Sequence, residues 1–85
     1  MQTSEIRAKF RREFNGKPNF MTPNILDYGK RGVHLFEIST GRGLRDDPIY
    51  GVTVITVRGE RRHDLSQCFS TLADATAYTK SLPRT

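Results

Sequence analysis

The densest apolar stretch of the chain is Ile49-Tyr50-Gly51-Val52-Thr53-Val54-Ile55-Thr56-Val57. Every residue from Val52 to Val57 is β-branched, which stiffens χ1, disfavours a helix and suits a pleated strand. Alternation along a strand puts Tyr50, Val52, Val54 and Thr56 on one face and Ile49, Gly51, Thr53, Ile55 and Val57 on the other. Both faces are largely apolar, so this strand is predicted to lie mid-sheet rather than at an edge. Val33 to Thr40 reads as a second strand, with Val33, Leu35 and Glu37 on one face and His34, Phe36 and Ile38 on the other. Ile25 to Tyr28 predicts a shorter one. Asp64 to Cys68 reads either as a short fourth strand or as a loop feeding the next element.

Two helices flank these strands. Ile6, Phe10 and Phe14 recur every four residues behind a Thr3 or Ser4 cap, which places them on one face of a helix ending near Phe14. Arg7, Lys9, Arg11 and Arg12 fill the remainder of its surface. Asn15-Gly16-Lys17-Pro18-Asn19 stops it. The second helix opens at Ser70 or Thr71, where Thr71-Leu72-Ala73-Asp74 fits a capping box. Leu72, Ala75, Thr76, Thr79 and Leu82 form its stripe, with Tyr78 at the rim, and Pro83 marks its end. The middle of that stripe is small, so the helix can approach a sheet closely.

Gly29-Lys30-Arg31-Gly32, Gly41 to Pro48 and Arg58-Gly59-Glu60-Arg61 carry the Gly and charge of turns. Connections this short imply antiparallel neighbours. The expectation is therefore one small α+β domain over residues 1–85, in the order α-β-β-β-α. Its sheet is an antiparallel meander of three strands, or four if 64–68 pairs. The helices cover either one face together or one face each. If they share a face, the other leaves Leu35, Thr53, Ile55 and Val57 as an apolar interface, and a homodimer is its simplest partner.

Composition narrows the function. The chain has 85 residues, with 14 Lys plus Arg against 9 Asp plus Glu, a net charge of +5. That balance favours polyanionic partners. No apolar run approaches the ~20 residues of a membrane span. Met1 to Arg7 lacks the apolar centre of a secretory signal, and a single Cys68 excludes an internal disulfide and fits a reducing compartment. The expected location is the cytoplasm.

Candidate chemistry is sparse. His63, Asp64, Ser66 and Cys68 lie close in sequence, but nucleophile–base pairs are assembled by convergence of separate segments, so the expectation is a solvated connection and no catalytic residue. Cys68 beside Phe69 reads as a small side chain at the core edge. Two histidines and one cysteine without CxxC or HxxxH spacing predict no metal site. Gly41-Arg42-Gly43 lacks the Lys and the following helix of a phosphate loop. No cofactor or small-molecule ligand is implied.

Arginine carries the remaining signal. Arg outnumbers Lys ten to four, and its planar fork matches phosphate oxygens. Strand direction sends the 29–32 turn and the 58–62 turn to one end of the meander and the 41–48 loop to the other. Lys30, Arg31, Arg58, Arg61 and Arg62 are then the candidates for one nucleic-acid-binding patch, with Arg7, Arg11 and Arg12 of the first helix as a second source of charge. Glu60 and Asp64 dilute it.

The strands Leu35-Phe36-Glu37-Ile38 and Tyr50-Gly51-Val52-Thr53-Val54, with the helix opening Phe69-Ser70-Thr71-Leu72-Ala73-Asp74-Ala75, make a three-strands-then-helix pattern. It resembles the DNA-binding domains of plant AP2 factors and the arm-binding domains of phage integrases, and it is similar also to short bacterial and phage proteins. In the first two groups the third strand leads almost directly into the helix, whereas about a dozen residues intervene here, and the Trp of those domains is absent. The resemblance implies a binding module. Three functional expectations follow: a non-enzymatic accessory protein acting through protein contact, as a homodimer; a nucleic-acid-binding protein; or an inhibitor or adaptor of a larger protein, of the kind mobile elements encode.

Overall fold

The computed structural model describes residues 3–14, 24–42 and 45–85, with side chains in the first helix described from 4 to 10. The elements are α1 (Thr3–Phe14), β1 (Asn24–Arg31), β2 (His34–Arg42), β3 (Pro48–Thr56), β4 (Gln67–Phe69) and α2 (Leu72–Ser81). The strands form one antiparallel sheet in the order β1-β2-β3-β4. The β-branched run is flanked on both sides, as its two apolar faces require. The 64–68 segment resolves into a turn followed by the short β4.

The β1–β2 connection differs from its sequence reading. Gly29, Lys30 and Arg31 belong to β1, and the turn is the two-residue Gly32-Val33. Gly32 has φ +60° and Val33 does not share the positive sign, which fits a type II′ hairpin with Gly at its first central position. Gly29 stays in the strand because the Phe36 ring lies across it, where any Cβ would collide with the ring. Further along, β1 carries one extra residue: Ile25 faces Ser39 while Asp27 already faces Ile38, leaving Leu26 as a bulge.

Each helix takes one sheet face. Ile6 and Phe10 of α1 pack on Leu35 and Ile55, with Tyr28 and Val57 against them. The Phe10 and Tyr28 rings are 5.8 Å apart. On the opposite face Ala75 and Leu82 pack on Ile38, Val52 and Val54, bordered by Phe36, Tyr50, Leu65, Phe69 and Tyr78. The small centre of α2 permits this: Ala75 and Thr79 are its buried positions, whereas Leu72 in its first turn is exposed. Thr71 caps α2 by accepting from the Asp74 amide at 3.2 Å.

This arrangement removes the bare apolar face. Leu35 and Ile55 are 0% exposed beneath α1, Val57 packs with them, and Thr53 is half-buried. The proposed interface residues are thus core or core margin, because α1 occupies the face they share. Cys68 also departs from expectation. It is exposed on β4 rather than tucked at the core edge.

Candidate functional site

The end of the sheet that carries the Gly32-Val33 turn is tied together by backbone. The Val57 amide donates to the Val33 carbonyl at 3.1 Å, which brings the β3–β4 connection against the β1–β2 turn. The Val33 amide donates to the Arg84 carbonyl at 3.0 Å, so the tail beyond α2 docks on the same turn. Gly32 is needed here for a second reason. A Cβ at that position would run into the Arg84 backbone.

Three side chains complete this clasp. Arg31 Nε donates to the Leu82 carbonyl at 2.8 Å. His34, fully buried, meets the Pro83 carbonyl through Nδ1 at 2.7 Å. Its Nε2 faces Arg62 Nη1 at 3.1 Å. A carbonyl can only accept and a guanidinium can only donate, so the neutral Nδ1–H tautomer satisfies both contacts. Arg62 also forks Asp64, Nε to Oδ1 at 3.0 Å and Nη2 to Oδ2 at 2.8 Å. That bond holds the Asp64 carboxyl below its ordinary range and raises Arg62.

The cations placed together by sequence reasoning do converge on this end, but they divide by sheet face. Lys30 pairs with Leu35 and Arg61 bridges to Ile55, so both stand on the α1 face. Arg31 pairs with His34 and, like Arg62, turns its guanidinium to internal acceptors. Lys30, Arg58 and Arg61 are exposed. Arg84, exposed at the same end, was missed. The signal for it was available: α2 starts beside Phe69, opposite Tyr50, and ten residues at 1.5 Å each return the chain about 15 Å toward the turns. Among the described residues the opposite end is balanced. Arg42 binds Asp46 at 2.9 Å, and Arg45 and Asp47 line one cleft.

Neither a protein-family model, nor a curated protein, nor a solved structure matches this chain.

Arg7 stands apart, lining a cleft of about 290 Å³ with Ile25, Leu26, Asp27 and Tyr28 at the β1 edge. The Arg11 and Arg12 side chains lie outside the described residues. A second cleft, of about 430 Å³, is lined by Arg45, Asp47, Pro48, Ile49, Cys68, Phe69 and Ser70. Among the described residues no group of three His, Cys, Asp or Glu side chains could hold a metal ion. In the 63–68 stretch, Ser66 Oγ donates to the Arg62 carbonyl and accepts from the Val54 amide, and the Asp64 carboxylate faces Arg62. No described helix is long and apolar enough to cross a membrane.

Glu37 is a buried acid of the described core. It is 8% exposed on the α1 face, and burial pushes its carboxyl above the ordinary value. A hydrogen bond from Tyr28 and the Arg61 charge offset part of that shift. A raised native value means that the folded state binds the proton more tightly than the unfolded one, so stability falls as pH rises through the window above about 4.5. Glu37→Gln keeps an acceptor for Tyr28 and carries no charge. It is expected to melt higher than the parent at pH 7. The gap should close as pH drops through the same window, as thermal melts from pH 4 to pH 8 would record.

Proposed function

We propose that this chain is a non-enzymatic nucleic-acid-binding module that grips the phosphate backbone with the turn-bearing end of its sheet. The observation that carries the reading is the convergence there of Lys30, Arg58, Arg61 and Arg84, exposed on a backbone clasp that links two turns and the tail. Among the described residues of the two turns and the tail, Lys30, Arg31, Arg58, Arg61, Arg62 and Arg84 stand against Glu60 and Asp64, whereas Arg42 and Arg45 at the other end meet Asp46 and Asp47. Phosphate contacts of this kind position a duplex without reading its sequence. The affinity for a mixed-sequence duplex should fall linearly on a logarithmic salt axis, with a slope of about −0.9 per phosphate engaged. Fluorescence anisotropy against salt measures it, and no binding at 50 mM salt or below would end this reading.

A second reading, a protein-contact module working as a homodimer, draws on β4. This edge strand is Gln-Cys-Phe, with no charge, proline or bulge, and it borders the 430 Å³ cleft. The other edge, β1, is guarded by its bulge and by Asp27, Lys30 and Arg31. Sedimentation over a wide concentration range separates the two readings, since the first does not require self-association.

A further inference from the structure

Arg62 differs from its neighbours in how it is held. Its Nη1 rests on His34, which is fully buried and itself fixed by the Pro83 carbonyl, so the guanidinium is oriented from beneath. Its outer edge is covered by Asp64 through two parallel bonds of 3.0 and 2.8 Å. The pair lies at the surface, with side chains 37% and 64% exposed. Two oxygens of a planar carboxylate span the same fork that two phosphate oxygens take. An exposed pair of this kind contributes little in water and is readily exchanged.

We propose that Arg62 is a phosphate-binding position whose fork Asp64 fills in the free protein, and that two oxygens of one phosphodiester displace the carboxylate on binding. The inference rests on the nucleic-acid reading and adds to it a pre-oriented site with an internal competitor. Arg31 is unsuited to the same exchange. Its partner is the Leu82 carbonyl, and releasing it would undock the tail. Among the described residues Arg42 bonds only to the exposed Asp46.

The test compares two acids of one connection. Glu60 is exposed and makes no ion pair among the described residues, so Glu60→Gln reports the general effect of removing one negative charge. Asp64→Asn removes the same charge and also frees the Arg62 fork. Anisotropy with a short duplex should show Asp64→Asn binding about threefold to fivefold tighter than the parent, with the salt slope unchanged, because Arg62 engages the same phosphate in both complexes. Glu60→Gln should gain clearly less. In an Arg62→Gln background, Asp64→Asn should gain no more than Glu60→Gln does, with melting curves confirming that each variant is folded. Inorganic phosphate should shift the Arg62 Nε–H resonance in Asp64→Asn and leave it in place in the parent. If the parent binds the duplex and Asp64→Asn gains no more than Glu60→Gln, the inference falls and the function reading stands. If neither binds at low salt, both fall.

Discussion

Replacing Ile55 with alanine is expected to destabilise the fold by about 2–5 kcal/mol. Ile55 is 0% exposed at the centre of the α1-side core, opposite Leu35 and under Ile6 and Phe10. Truncation there removes apolar contact and leaves a cavity that the sheet backbone cannot collapse to fill. A domain of this size holds only about 5–10 kcal/mol of net stability, so the variant should sit close to its unfolding threshold at room temperature. Urea titration at low micromolar protein, followed by circular dichroism, measures the effect. The outcome separates two roles. A residue lining a bare dimer face would weaken self-association and leave the dilute protein's melting almost unchanged. A residue sealed by α1 lowers stability at every protein concentration alike.

That distinction marks where the sequence stops being informative. Strand alternation shows that Leu35, Thr53, Ile55 and Val57 share a face, because parity is a local property of the backbone. It does not show which helix takes that face, because helix placement depends on contacts between residues far apart in the chain. The apolar stripe Ile6–Phe10 and the small stripe Ala75–Thr79 were both legible, and either could have covered either side. The two glycines around the first hairpin pose a similar problem. Gly29 and Gly32 both look like turn residues, and what decides between them is the Phe36 ring across Gly29 and the Arg84 backbone behind Gly32. The mid-sheet position of β3 needed no such information, since a strand apolar on both sides has no stable place at an edge. The Thr71 cap was equally local, with donor and acceptor three residues apart.

The basic end was legible as a gathering of charge but not as a division of labour. Arg31, Arg58, Arg61 and Arg62 are chemically equivalent in sequence. In the fold, Arg31 and Arg62 spend donors on Leu82, His34 and Asp64, whereas Arg58 stays at the surface. The acceptors in the clasp that claim the first two lie far along the chain, the Leu82 carbonyl 51 residues from Arg31 and His34 28 residues from Arg62.

Removing the exposed charges of this end together should therefore affect binding far more than folding. Lys30→Gln, Arg58→Gln, Arg61→Gln and Arg84→Gln in one protein are expected to weaken duplex binding by about a hundredfold near 0.1 M salt. The salt slope should flatten by up to about 3.6, four phosphate contacts at 0.9 each. Arg42→Gln with Arg45→Gln provides the contrast. Those arginines share their end with Asp46 and Asp47, so the double change should cost less per charge removed. Equal losses per charge at the two ends would mean that net charge alone draws the polyanion, and the clasp would then have no part in recognition. Arg61 needs its own control, because its charge offsets part of the burial cost of Glu37. The quadruple variant should accordingly melt lower than the parent at pH 7, and adding Glu37→Gln should restore the melting temperature without restoring binding. Stability would then track the Glu37–Arg61 charge pair while affinity tracks the phosphate contacts, so the two would move independently.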